Sequence, residues 1–353
     1  MPLKFEPPYT ITNDILKKLL EIEAIKERVK SLPLTPKVLA SLRESSKLFS
    51  THYSTMIEGN RLTQKEVSEV LLENKQIKGR ERDEKEIKGY YKALDEVSKL
   101  VSKKKDITER DIKTLHGYIM DAHKPSPTEY RAEQNVIKEM GSGRIVYLPP
   151  EAKDVPALML ALVTWINENK KEIPIPILAA VAHYQYATIH PYYDGNGRTA
   201  RILTTLVLHL NGYDLKGIYN LEEYYAKDLQ AYYSAIDIGE SRNYYFGRAT
   251  AEITTWIEYF IQGMLESFNT IEKHIKKEDG QNDQSDRLKI FDTRQKKILT
   301  LFEKNDYITS HDLEKLFKFS PRTARQLAQN LVKSGFLKIA DKSKKNRKYV
   351  LNT

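Results

Sequence analysis

The chain has no cysteine among its 353 residues. Disulfides, thiolate nucleophiles and cysteine-ligated zinc or iron–sulfur centres are therefore excluded, and the absence suits the reducing cytoplasm where we expect the protein. No apolar run approaches the ~18 residues of a membrane span, and Met1 to Pro8 lacks the basic and apolar pattern of a secretory leader. No membrane partner is expected. Glycine and proline, at 15 and 14 residues, are too few for a collagenous or low-complexity chain. What is present, 40% hydrophobic and 30% charged residues, is the composition of a globular protein. The length exceeds the about 100–200 residues of one core, so two or three packed units are expected.

The formal charge of +9 is the one unusual number, since a basic excess often marks nucleic acid or another anionic partner. Its location matters more than its size. From Gln284 to Thr353 there are 17 Lys and Arg against 7 Asp and Glu, whereas the preceding residues carry 40 against 41. The chain reads as a near-neutral body with a basic C-terminal piece.

Apolar residues recur at three and four spacing over Ile15–Val29, Thr35–Glu58, Thr63–Glu73, Glu81–Val101, Thr108–Met120, Pro156–Asn169, Ile175–His190, Arg198–Asn211, Leu221–Ile236 and Ala249–Glu272. These predict ten helices in a mainly helical bundle. Two short β-prone runs, around Val136-Ile137 and Ile145-Val146-Tyr147, flank Met140-Gly141-Ser142-Gly143 and predict a hairpin. Residues 276–286 hold few apolar groups and read as a linker. Beyond them, 287–353 have the outline of a winged helix: helices over Arg294–Lys304 and Ser310–Phe317, then Ser320-Pro321 opening a third that Gly335 ends, then two strands around Asp341–Arg347. Arg322, Thr323, Arg325 and Gln326 stand where a recognition helix meets a major groove, so DNA is one expected partner.

One stretch concentrates chemistry: His190-Pro191-Tyr192-Tyr193-Asp194-Gly195-Asn196-Gly197-Arg198-Thr199-Ala200-Arg201. Pro191 disfavours helical geometry at His190, so an apolar helix must stop there and leave the imidazole at its tip. Asp-Gly-Asn-Gly then forces a turn, and a new helix starting near Arg198 points unpaired backbone N–H groups into it. Arg198 and Arg201, three apart, share a helix face that can clamp successive phosphates. Asp194 offers one carboxylate, and Mg²⁺ is commonly held by one carboxylate plus substrate phosphates. A structural helix–turn–helix joint would explain any of these residues singly but not all twelve together. A zinc pair of His190 and Asp194 fails, because Pro191 and the glycines keep the two off one helical turn.

The stretch resembles the signature of the Fic family, His-Pro-Phe-x-(Asp/Glu)-Gly-Asn-Gly-Arg-x-x-Arg, with Tyr192 where Phe is usual. The resemblance implies an α-helical fold with a small β-hairpin flap and transfer of AMP from ATP to a Ser, Thr or Tyr hydroxyl of a target protein, self-modification included, with release of pyrophosphate. It makes His190 the general base, Asp194 the Mg²⁺ ligand, and Asp194, Gly195, Asn196, Gly197, Arg198, Thr199, Ala200 and Arg201 the ATP-binding segment. Tyr130-Arg131-Ala132-Glu133-Gln134 and the following hairpin are similar to the family's flap, which implies that Val136, Ile137 and Lys138 bind the target's backbone. Tyr232 and Tyr233 resemble the nucleoside side.

Ser54-Thr55-Met56-Ile57-Glu58-Gly59-Asn60 is a second resemblance, to the inhibitory motif (Ser/Thr)-x-x-x-Glu-(Gly/Asn)-Asn of one Fic class. Ser54 and Glu58 share a helix face, and Gly59-Asn60 supplies a C-cap. The resemblance implies that Ser54, Glu58 and Asn60 form an inhibitory element in which Glu58 pairs with Arg201 and obstructs ATP. It divides the chain into an N-terminal helical region at 1–107, a catalytic core with following helices at 108–275, the linker, and the C-terminal unit. Removal of AMP, transfer of UMP or GMP, and homodimer formation stay open. The competing reading is a DNA-binding transcriptional regulator whose Fic core senses nucleotide.

Overall fold

A computed structural model describes residues 5–280, apart from 33, 35, 104, 123–124, 139–142, 144 and 240, then residues 298, 301–302, 305 and 307–351 apart from 318, 334–335 and 342–346. The described part is mainly helical, as expected. The helices are α1 (Asn13–Ser31), α2 (Pro36–Ile57), α3 (Gln64–Glu73), α4 (Glu81–Lys103), α5 (Glu109–Met120), α6 (Val155–Asn169), α7 (Ile175–Ile189), α8 (Asn196–Leu210), α9 (Glu222–Lys227), α10 (Leu229–Ile236) and α11 (Thr254–Gly280). The hairpin pairs β1 (Ile137–Lys138) antiparallel to β2 (Ile145–Tyr147).

The boundaries follow local chemistry. Thr12 caps α1 by accepting from the Ile15 amide at 3.2 Å, and Thr63 with Glu66 forms a reciprocal capping box on α3. One expectation divides: Leu221–Ile236 is two helices, because Asp228 takes an extended conformation (φ −142°, ψ 87°) and its carboxylate caps α10. Another shifts, since α11 continues to Gly280 and so enters the expected linker. Linker residues 281–286, the turn at Met140-Gly141-Ser142, most of Arg294–Lys304, Gly335 and the wing tip at 342–346 lie outside the described residues.

The two central helices, α7 and α8, are antiparallel neighbours around which the others pack. In α7 nearly every side chain is buried, the pattern of a helix with no solvent face. Trp256 of α11 is fully buried and donates to the Ala180 carbonyl at 2.7 Å. One apolar cluster runs from Ile15 through Tyr90 and Leu206 to Ile275, so residues 1–107 share their core with 108–275.

Beyond the break, β3 (Ile308–Thr309), α12 (Ser310–Phe317), α13 (Pro321–Lys333), β4 (Leu337–Asp341) and β5 (Lys348–Leu351) form a second unit. Its antiparallel sheet has the order β3-β5-β4 and covers its own cluster, which includes Leu313, Ala324, Leu331 and Phe336. Ala40 of α2 also belongs to this cluster.

Candidate functional site

The site lies where α7 ends and α8 begins. His190 caps α7 in the left-handed region (φ 51°, ψ 60°), and its amide donates to the Tyr186 carbonyl at 3.0 Å. A non-glycine residue in that region is strained, and here two forces impose it: the following proline and the helix-ending hydrogen bond. The imidazole is half-buried, with Nδ1 3.4 Å from the Ala187 carbonyl, which favours the tautomer that leaves Nε2 as the free lone pair. Burial lowers its pKa to about 4, against upward pulls from the Ala187 carbonyl and Glu58. The ring is therefore a neutral acceptor at pH 7.

Gly195 (φ 75°) turns the chain and caps α8, which begins at Asn196, two residues before the expected start. The N–H groups of its first turn face the turn. Asn196 locks the loop by bonding the Tyr192 amide at 3.0 Å and the Tyr192 carbonyl at 2.8 Å. Arg198 is buried and bonds Asp194 Oδ1 at 3.2 Å, and its Nε has no partner among the described residues. A buried, unsatisfied guanidinium nitrogen at a helix N-terminus fits an anionic ligand. Thr199 and Ala200 turn their side chains away, into the core; the Thr199 hydroxyl donates to the Gly195 carbonyl at 2.8 Å.

A carboxylate already stands at this anion site. Glu58 follows α2 directly, Gly59 (φ 90°) ends the helix, and Glu58 Oε1 accepts from Arg201 Nη2 at 2.7 Å. A Cβ at Gly197 would collide with the Glu58 carboxylate. Arg201 is 2% exposed, and it also donates to the Ser54 hydroxyl at 2.7 Å and the Ser54 carbonyl at 2.8 Å. Glu58 thus pairs with Arg201 as the resemblance implied, and Ser54, one turn earlier, meets the same guanidinium. Asn60 does not reach the nest. It bonds the Asp83 carbonyl and Glu86 Oε2, both at 3.0 Å, and so ties the end of α2 to α4, where Glu86 approaches Arg198 at 3.9 Å.

Asp194 is the acidic side chain the motif itself supplies; its side chain is 59% exposed, and Oδ1 also accepts from the Gly195 amide at 2.6 Å. No group of three or more His, Asp or Glu that could hold a metal is found among the described residues. That donor set fits a Mg²⁺ ion carried largely by substrate phosphates and water.

Three residues that sequence reasoning missed or underweighted hold this geometry. His116 of α5 is 4% exposed, contacts the Asp194 carbonyl through Nε2 at 2.9 Å and Thr128 through Nδ1 at 2.7 Å, and stacks on Tyr192 with centroids 3.6 Å apart. Arg131 donates to the carbonyls of His190 at 3.0 Å, Glu133 and Pro150, clamping the flap's base to the α7 tip. Glu86 braces Arg198. Their sequence signal is weak, since a polar residue on a buried helix face, as at His116 and Glu86, or in a loop, as at Arg131, announces no partner.

Ile137 and Lys138 lie in β1 and Val136 just before it. Tyr147 of β2 donates to the Thr188 carbonyl at 2.7 Å, fixing the hairpin on α7. After β2, Leu148 bridges to Asn243, its amide donating to the Arg242 carbonyl at 2.8 Å and its carbonyl accepting from the Tyr244 amide at 3.0 Å. The 237–248 loop therefore covers the β2 side and leaves β1 as the outer strand. Tyr232 and Tyr233 separate: Tyr232 is buried, its hydroxyl 3.0 Å from His183, whereas Tyr233 is half exposed and donates to the Ile57 carbonyl at 3.3 Å, beside Glu58.

Comparison with known proteins places this geometry. Residues 106–208 match the family model described as Fic/DOC family. The chain is 30% identical over 210 residues to proteins named protein adenylyltransferase Fic from Drosophila ananassae and Drosophila melanogaster, covering 57% of this chain and 41% of each. It thus spans about two fifths of the length of these curated relatives. Among solved structures, a Fic family protein from Desulfovibrio desulfuricans superposes with a TM-score of 0.64 at 23% identity over 98% of both chains. A Fic domain containing signaling protein from Bacteroides thetaiotaomicron gives 0.63 at 24% identity, over 74% of this chain and 97% of that one. These two share the fold.

Two outcomes follow from the geometry. Titration of the His190 imidazole by NMR should show a midpoint near 4, because burial disfavours the cation; removing Glu58, which favours the cation, should lower it further, and a midpoint near the ordinary 6.5 would contradict the burial. The buried Tyr192 hydroxyl faces Thr128, already committed to His116, and closes no hydrogen bond of its own. Tyr192→Phe should therefore leave stability within about 1 kcal/mol of the parent or raise it, while Tyr192→Ala should cost ~3–5 kcal/mol, both read by urea denaturation.

Proposed function

Residues 106–208 form a Fic/DOC family domain, and from that premise we propose that the chain is an autoinhibited protein adenylyltransferase. The carrying observation is the pairing of a neutral, free imidazole nitrogen on His190 with an anion nest that Glu58 fills in place of a phosphate. The names of the relatives that match over 57% of the chain support the same reaction.

In this reading the α8 N-terminus, Arg198 and Arg201 hold the phosphates of ATP. Asp194 holds Mg²⁺, which when bound neutralises charge on the phosphates. An outer-strand segment of the target pairs with Val136, Ile137 and Lys138 of the flap, bringing a Ser, Thr or Tyr hydroxyl beside His190. The hydroxyl oxygen attacks the α-phosphorus, His190 takes its proton at Nε2, the α–β bridging bond breaks, and pyrophosphate leaves. Positioning and charge stabilisation carry most of the catalysis in such transfers. Arg201 can bind phosphate only when Glu58 releases it, so Glu58 is the brake. Tyr233 ties the brake to α10 and sits toward the nucleoside side; Tyr232 supports it from the core.

Labelling with ATP marked on its α-phosphate tests this. Glu58→Gly should raise modification of the chain itself or of lysate proteins by at least about tenfold, the effect of freeing one charge-assisted clamp. His190→Ala in that background should abolish labelling while ATP still binds. Equal labelling by wild type and Glu58→Gly would remove the brake, and labelling without His190 would remove the base. Mass spectrometry of the acceptor reports AMP, UMP or GMP.

A specific observation supports a second role for the C-terminal unit. Helix α13 buries Ala324, Leu327, Ala328 and Leu331 and exposes Arg322, Thr323, Arg325, Gln326 and Gln329, with no acidic residue along its length. That polar and basic face fits the major groove of duplex DNA. Duplex binding should weaken steeply with added salt, and Arg322→Ala with Arg325→Ala should flatten the slope by about two counterions; a salt-independent affinity would favour a protein partner.

A further inference from the structure

Glu222, the first residue of α9, is an acid that the mechanism leaves unused. It is 3% exposed and makes no ion pair among the described residues. Its carboxylate accepts from the Tyr90 hydroxyl at 2.8 Å, and the Ser50 hydroxyl also acts on it. Burial raises its pKa, and the hydrogen bonds from Tyr90 and Ser50 and the charge of Arg201 pull the other way. Tyr90 in turn feels both the Ser54 hydroxyl and Arg201, and Ser54 accepts from Arg201 Nε at 2.7 Å. Arg201, Ser54, Tyr90 and Glu222 come from α8, α2, α4 and α9, and none is more than 3% exposed. They form a buried polar line that starts at the phosphate clamp and ends at a carboxylate.

A line of this kind is a costly way to pack four helices. Burying a carboxylate carries its own desolvation penalty, and a neutral acceptor would satisfy the Tyr90 hydroxyl as well. The line has a use at the other end. Arg201 is held by Glu58 in the closed arrangement, and when Glu58 withdraws, the guanidinium is left buried without that partner until phosphate arrives, a state that costs several kcal/mol if nothing else offsets it.

We propose that Glu222 is a positioning residue for ATP: acting through Tyr90 and Ser54, its carboxyl group anchors the polar line that keeps Arg201 in its clamp geometry when Glu58 is away. This rests on the adenylyl-transfer reading, in which Glu58 and the γ-phosphate exchange at Arg201. Glu58 stands at a helix end and Glu222 in the core.

The test uses the full chain carrying Glu58→Gly. Glu222→Gln keeps the shape and an acceptor for Tyr90 and removes only the carboxyl group. The dissociation constant of ATP, measured by calorimetry on the catalytically silent Glu58→Gly, His190→Ala chain, should rise about tenfold on adding Glu222→Gln. In the active Glu58→Gly chain the KM for ATP should rise in parallel while kcat changes far less, and the melting temperature should stay near that of the parent. Tyr90→Phe, which cuts the line in its middle, should weaken ATP in the same direction. ATP binding within twofold of the parent in Glu222→Gln overturns the proposal and leaves Glu222 a packing residue. Should Glu222→Gln fail to fold, Tyr90→Phe decides by the same binding measurement. Because binding is read without turnover, failure of Glu58→Gly to label any protein would sink the transfer reading and still leave the role of Glu222 decided.

Discussion

A buried guanidinium cannot stand alone, and much of this molecule is arranged around Arg201. Its position deep in α8 is dictated by the helix pair α7 and α8, whose apolar faces fill the core. Once there, its charge must be met by hydrogen bonds and an opposite charge, and the structure supplies the Ser54 hydroxyl, the Ser54 carbonyl and the Glu58 carboxylate, all from the end of α2. The end of α2 is then held by Asn60 against α4 and by Tyr233 from α10. Electrostatics at one side chain thus fixes where three other helices sit. As it stands, Nε and Nη2 of Arg201 are both turned toward protein oxygen, while Arg198 Nε is not.

The second constraint is backbone. Pro191 and the α7 C-cap hold His190 in the left-handed region, a strained conformation for a non-glycine residue. Gly195 then turns the chain so that only six residues separate the end of α7 from the start of α8. Two helix ends thus bring the His190 imidazole and the first-turn N–H groups of α8 together through local backbone geometry. Long-range contacts keep the turn from drifting: His116 holds the Asp194 carbonyl, and Arg131 holds that of His190.

This division explains what could be read from sequence. The segment from His190 to Arg201 was legible because its chemistry is contiguous and each backbone demand is met by the residue that stands there. Ser54 and Glu58 were legible through spacing along one helix, although only the fold shows that they meet Arg201, 147 and 143 residues away. Asp228 hid a helix break because the apolar pattern runs through it and only its capping geometry interrupts the helix. His116, Glu86 and Glu222 were illegible. Each sits on a helix whose pattern reads as packing, and its partner lies on a different helix, fixed only when the core closes. Asn60, read from sequence as part of the helix C-cap, also ties the end of α2 to α4 through its side-chain amide, a contact that only the fold reveals.

Charge, the most conspicuous feature of the composition, says little about phosphate affinity at the site. The body that holds the anion nest is close to neutral, and its cations there are two buried arginines whose charges are already balanced by Asp194, Glu86 and Glu58. What attracts an anion is local: N–H groups at a helix start, in a low-dielectric wall where each interaction counts for more than on the surface. Most of the net charge is carried by the C-terminal segment, whose exposed cations among the described residues include Arg322 and Arg325 of α13 together with Lys315 and Lys338. Helix α2 borders both neighbourhoods, with Ala40 in the C-terminal cluster and Ser54 against Arg201.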